Sequence, residues 1–166
     1  MAILTSNELA THPFLTKLGP DVLDQRLEAD VIVERLTQTA FINRRLGSLY
    51  LDQCFLAGIG NYLRSEILFD AGLHPALRPR DLTAEQSLSL ANSTLRICRR
   101  AYRHRGVVND PARVAAMRTS GMKRHQYRFA VFSRDGLPCY RCATPIERRT
   151  VLSRRLYLCP SCQVQA

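Results

Sequence analysis

At 166 residues the chain can form one ordinary hydrophobic core and a small satellite domain, and its 46% hydrophobic content fits a folded protein. Its net charge of +10 is carried almost wholly by arginine, Lys17 and Lys123 being the only lysines. No stretch approaches the ~20 apolar residues of a membrane span, and Met1–Ala10 has neither the basic start nor the apolar run of a secretory signal, so the cytosol is the expected compartment. The planar guanidinium fork suits phosphate oxygens, and an arginine-rich excess points toward nucleic acid. A solvated basic surface, or a genomic bias toward Arg over Lys, would give the same totals.

Along the chain, residues 1–12 read as a lead-in and 13–105 as an all-α domain. Gly19-Pro20-Asp21 is a turn, and Glu28–Gln38 carries an apolar set at Ile32, Leu36 and Thr39/Ala40. At Gly58-Ile59-Gly60-Asn61 the two glycines end one helical pattern. Asn61 is a favourable N-cap for the next helix, whose apolar positions Leu63, Ile67 and Ala71 run to a stop at Gly72. Glycine presents no Cβ to an approaching backbone. A helix N-terminus behind it offers free N–H groups and the positive end of a dipole. Gly60 and Asn61 are therefore candidates to receive a phosphate, although a plain helix–turn–helix corner could carry the same residues.

His74-Pro75 and Arg78-Pro79 mark the next connection. Thr83 is the expected N-cap of a long helix, with Gln86 placed to complete a capping box. Leu88, Ala91, Leu95, Cys98 and Tyr102 then recur every three to four residues and predict one apolar face. The isolated Cys54 and Cys98 sit in apolar patterns and read as small core residues. Residues 106–124 mix Gly106, Asn109-Asp110-Pro111 and Gly121 with Arg113, Arg118, Lys123 and Arg124. They read as a basic linker or as a short helix between loops.

From 125 to 166 the pattern changes. Tyr127, Phe129 and Val131 alternate with Arg128 and Ala130 as in a short strand, before Arg134-Asp135-Gly136 turns into Pro138-Cys139. Cys139, Cys142, Cys159 and Cys162 form two Cys-x-x-Cys pairs with sixteen residues between them. Each two-residue spacer lets both thiolates of a pair face one ion. Four soft sulfurs suit tetrahedral Zn2+ and leave no position for substrate, so the ion is expected to be structural. Iron on the same ligands and two disulfides are the competing readings. Between the pairs, Thr150–Ser153 and Leu156–Leu158 are strand-like and put Ser153-Arg154-Arg155 at a hairpin tip.

Three groups of residues then match in order: Leu51-Asp52-Gln53 through Gly58-Ile59-Gly60-Asn61-Tyr62 to Glu66; Arg128-Phe129-Ala130-Val131-Phe132 and Asp135-Gly136-x-Pro138-Cys139; and the two cysteine pairs. Together they resemble the C-terminal half of the formamidopyrimidine-DNA glycosylase/endonuclease VIII family. Thr11-His12-Pro13-Phe14 and Gly19-Pro20-Asp21 are similar to its bacterial members. The likeness covers essentially the whole chain and is weakest at 106–124. It implies a mainly α fold, a helix–two-turn–helix domain followed by a small β-hairpin zinc finger, together forming one wall of a DNA cleft. It also implies that Asn61 contacts phosphates near a damaged nucleotide and that Arg154, five residues before Cys159, grips phosphates flanking a flipped lesion. Arg155 departs from the small residue or proline expected beside it, so only Arg154 is carried over.

Family enzymes excise oxidised bases with an N-terminal proline amine, followed by a glutamate, that attacks the sugar C1′ and cuts the strand through a Schiff base. This chain begins Met1-Ala2-Ile3-Leu4, and no motif places Lys17 or Lys123, so no catalytic residue is assigned. The expectation is a monomer that binds double-stranded DNA, damaged or abasic, without cutting it, with an N-terminal catalytic half as a candidate partner. A stand-alone RNA-binding zinc ribbon is the alternative, and an iron electron carrier the third reading.

Overall fold

The computed structural model describes residues 12 and 15–164. Apart from His12, the lead-in expected over 1–12 lies outside them, as do Pro13 and Phe14. Among the described residues the helices are α1 (Ala29–Thr37), α2 (Leu46–Leu49), α3 (Asn61–Asp70), α4 (Ala84–Arg103), α5 (Pro111–Thr119) and α6 (Arg124–Tyr127). One antiparallel hairpin follows, β1 (Glu147–Val151) and β2 (Arg154–Leu158). α4 packs against both α1 and α3, and α3 packs in turn against β2, so α3 joins the helical half to the hairpin.

α4 has locally encoded ends. Gln86 N–H donates to the Thr83 hydroxyl at 3.1 Å, and the Gln86 side-chain oxygen accepts from Thr83 N–H at 2.9 Å, completing the capping box. Beyond its other end Arg105 and Gly106 turn left-handed at φ 50° and 86°. The positive φ is what favours glycine at position 106, since an added Cβ would meet only the movable end of the Arg128 side chain, at 2.8 Å. The buried stripe is broader than the expected face and rotated from it: Leu90, Ala91, Thr94, Leu95, Ile97, Cys98 and Ala101 point inward. Leu88 and Tyr102 are instead 44% and 74% exposed, because packing on two neighbouring helices draws other positions into the core. Cys98 is buried, which pushes its thiol up to about 12, but Cys54 is exposed. It lies in a turn whose Cys54 N–H donates to the Asp52 carboxylate.

The stretch 106–124 contains α5, opened by Asp110, whose carboxylate accepts from Arg113 N–H at 3.0 Å, and by Pro111 in the first turn. The strand expected across Tyr127–Val131 is absent: α6 ends at Tyr127 and the chain bends. The alternation was misleading because its members serve different cores. Tyr127 packs with Val107 and Val114, whereas Val131 packs with Phe69, Cys139, Ile146, Tyr157 and Cys159. The hairpin tip is also one residue earlier than expected. Val151 pairs with Arg154, and the two-residue turn is Leu152-Ser153, both left-handed at φ 51° and 58°. That is the primed-turn geometry which matches strand twist, built without the usual Asn-Gly signal.

Candidate nucleic-acid interface and metal centre

The glycine corner is held from inside. Gly58 is left-handed at φ 92°. Its N–H donates to Gln53 Oε1 at 3.0 Å, while Gln53 Nε2 donates to the Ile59 carbonyl at 3.1 Å. Gly60, in extended conformation, is the N-cap of α3, and no side chain caps the helix. Asn61 is therefore the first helical residue and not the cap expected from sequence. A Cβ at Gly60 would meet nothing within 4 Å, so there is room beside the corner, and the first N–H groups of α3 have no side-chain cap.

Arg64, one turn along α3, ties this corner to the hairpin. Its side chain is fully buried. Nη1 donates to the Gly47 carbonyl at 2.7 Å, and Nη2 donates to Asn61 Oδ1 at 2.6 Å and to the Arg155 carbonyl at 3.1 Å. With its oxygen engaged, the Asn61 carboxamide keeps its NH2 donors for an outside acceptor. Burial and the nearby Arg154 push Arg64 down to about 10, which leaves it charged at neutral pH. Arg154 is exposed at the start of β2. The Arg64 guanidinium thus links the Asn61 side chain to the hairpin main chain at Arg155, next to Arg154.

The rest of α3 carries the finger through polar contacts. Ser65 Oγ accepts from Tyr157 N–H at 3.2 Å. Glu66 is 2% exposed and accepts three consecutive backbone N–H groups, Ala130 at 3.0 Å and Val131 and Phe132 at 2.9 Å. Those bonds explain the bend at 130–132: the amides that a strand would have paired are used by a carboxylate. Burial raises the Glu66 pKa while the three amides pull it back. In the last turn of α3 the Phe69 carbonyl accepts from Arg141 at 2.9 Å, and past its end the Leu73 carbonyl accepts from Gln163 at 3.0 Å.

The sulfurs of Cys139, Cys142, Cys159 and Cys162 lie within 4.8 Å of one another, and all four cysteines are free. Three of the separations are 3.4, 3.4 and 3.9 Å. Tetrahedral thiolates about 2.3 Å from one ion would stand about 3.8 Å apart, so the set fits a metal. Each pair also receives a backbone amide, Arg141 N–H on Cys139 Sγ and Cys162 N–H on Cys159 Sγ, both at 3.4 Å. Hydrogen bonds with Thr144 hold Cys142 down to about 6, whereas burial and the neighbouring sulfurs push Cys162 up. Four thiolates this close repel one another, and a cation at their centre removes the conflict.

Sequence reasoning assigned no role to Gln53, Arg64 or Glu66, though all three lie in the quoted motif. Asn61 and Arg64 at i and i+3 share a helix face, which is a readable signal. Nothing local marks Glu66, whose partners lie 64 to 66 residues away.

Residues 18–110 match the family model described as the formamidopyrimidine-DNA glycosylase H2TH domain. Over 161 residues the chain is 47% identical to Endonuclease 8 of Escherichia coli (strain K12 / DH10B) and 46% identical to Endonuclease 8 of Shigella sonnei (strain Ss046). Each alignment covers 97% of this chain and 58% of the relative, so the chain spans little more than half the length of these curated proteins. The crystal structure of the MutM (Fpg) protein from Thermus thermophilus superposes with a TM-score of 0.73 at 31% identity, covering 94% of this chain and 57% of that one. Lactococcus lactis Fpg, solved in complex with DNA containing an abasic site, shares the fold at a TM-score of 0.76 and 22% identity, covering 98% and 57%.

Proposed function

The chain belongs to the formamidopyrimidine-DNA glycosylase family through its H2TH domain, and on that premise we propose that it is the duplex-gripping half of an endonuclease VIII-like base-excision-repair glycosylase/AP lyase. The observation that supports the reading is the Arg64 bridge, which links the Asn61 carboxamide to the main chain of the hairpin that carries Arg154. Such an arrangement holds one sugar–phosphate backbone at two points and fixes the register of a damaged or abasic nucleotide. It reads little base sequence. Zn2+ on Cys139, Cys142, Cys159 and Cys162 is structural in this proposal and supplies the fixed geometry of the finger. In this proposal these residues grip abasic duplex as a cytosolic monomer, and strand-cutting chemistry belongs to an N-terminal catalytic half of the kind the longer relatives have room for.

Fluorescence anisotropy on an abasic-analogue duplex, the intact duplex and single-stranded RNA tests this. The abasic duplex should bind best, with affinity falling steeply between about 50 and 200 mM salt. Arg154→Ala should weaken binding to all duplexes and lower the salt slope by about one unit. A preference for RNA would transfer the site to a stand-alone RNA-binding ribbon, and salt-independent binding would end the phosphate reading altogether.

A further inference from the structure

The hairpin carries two arginines on each strand, and the two pairs are differently placed. Those of β1 have carboxylate partners, Arg148 with Asp135 at 3.7 Å and Arg149 with Glu147 at 2.8 Å. Those of β2, Arg154 and Arg155, form no ion pair among the described residues. Both are exposed, and residues 148–158 contain no Asp or Glu. Neighbouring cations without a counter-charge repel each other, and an arriving anion relieves that repulsion.

Adjacent strand residues point to opposite faces, so the two side chains leave β2 on different sides. Arg154 shares its face with Leu156, which lies against Gly47 of α2, and the Gly47 carbonyl accepts from Arg64. Arg155 shares its face with Tyr157, whose ring centre is 5.0 Å from that of Phe132. Phe132 in turn meets Tyr62, in the first turn of α3, at 6.2 Å. Both faces therefore lead back to the glycine corner, one by way of α2 and the other along an aromatic row. The Arg155 main chain is fixed, its carbonyl held by Arg64 at 3.1 Å and its strand position opposite Thr150. Only its side chain is uncommitted.

On the duplex reading proposed above, we infer that Arg155 grips a backbone phosphate of its own, separate from the one that Arg154 holds. A planar guanidinium fork matches phosphate oxygens, and two forks on opposite faces of one strand reach different phosphates. A single contact would let the sugar–phosphate backbone pivot about Arg154. The second fixes its direction across the corner, which is a positioning role and reads no base.

Fluorescence anisotropy of the metal-loaded 166-residue chain on an abasic-analogue duplex, between about 50 and 200 mM salt, tests this. Arg64 takes the main-chain oxygen of residue 155, so Arg155→Ala keeps the joint and should not move the Tm. It should weaken binding about fivefold at the low-salt end and lower the salt slope by about one unit. Arg154→Ala/Arg155→Ala together should lower the slope by about two units, and Arg155→Lys, which keeps the charge, should restore it. Arg149→Ala removes the same charge from a partnered site and should leave the slope unchanged. A parental slope in Arg155→Ala overturns the inference while leaving the Arg154 grip in place. So does a double variant no lower than Arg154→Ala alone, which would mean one shared phosphate. An Arg149→Ala effect equal to that of Arg155→Ala would overturn it as well, by tracing the loss to net charge. Salt-independent binding by the parent would remove the duplex reading itself.

Discussion

The helical half and the finger are stable for different reasons. The first buries a continuous apolar cluster reaching from Val22 to Val108, with Leu46, Leu49, Phe55, Ile67 and Leu90 at or near zero exposure. The second has six buried residues in its cluster, two of which are cysteines of the four-sulfur set that could hold a metal and one of which, Phe69, is lent by α3. The finger therefore rests on a four-cysteine cluster able to hold a metal and on polar side chains reaching across from α3, whereas the helical half depends on area removed from water. Damage to one should leave the other standing.

The sharpest test of that independence is Cys159→Ser, or a strong chelator. Bound metal should be lost and the hairpin amides should exchange freely, while helical circular dichroism persists. If the helical signal melts with the metal, the two halves are one cooperative unit. Leu90→Ala is the reciprocal change, and should cost about 2–5 kcal/mol of global stability in a urea titration without releasing metal. Glu66→Gln acts at the seam. It turns a three-bond acceptor into a group with one oxygen and a misplaced NH2, and should cost about 2 kcal/mol, read as faster exchange at Ala130, Val131 and Phe132.

The smallest effect is expected from pH. Burial, with help from Arg149, lowers the His74 pKa below 6.5, and neutral Nδ1 accepts from Ala76 N–H at 3.2 Å. The unfolded chain then takes up the proton first. The stability from this group is present above about 6.5 and is lost as pH falls through the lowered value. Urea midpoints at about pH 7.5 and 5.0 should show that loss, and His74→Gln should flatten it. A parent and variant with the same acid response would remove His74 from the account.

The same division decides how much could be read from sequence. Local signals were legible: the Thr83–Gln86 box, the stop at Gly72 with φ 69°, and the cysteine spacing all depend on residues a few positions apart. Tertiary decisions were not. Tyr127, Phe129 and Val131 carry a strand's alternation, but a carboxylate from another element claims the amides at 130–132 and bends the chain. Asn61 has a good N-cap side chain, yet Arg64 needs its oxygen and Gly60 takes the cap. Leu88 and Tyr102 kept the helical period but faced away from both packing partners of α4.

The contact from Arg64 to the hairpin ends on the main-chain oxygen of residue 155, not on its side chain. Any amino acid at that position supplies the same oxygen, so substitution at 155 can drift freely without loosening the joint. Insertion or deletion of one residue between Val151 and Arg155 is another matter: it would present an N–H where the oxygen now stands, and the corner and hairpin would part.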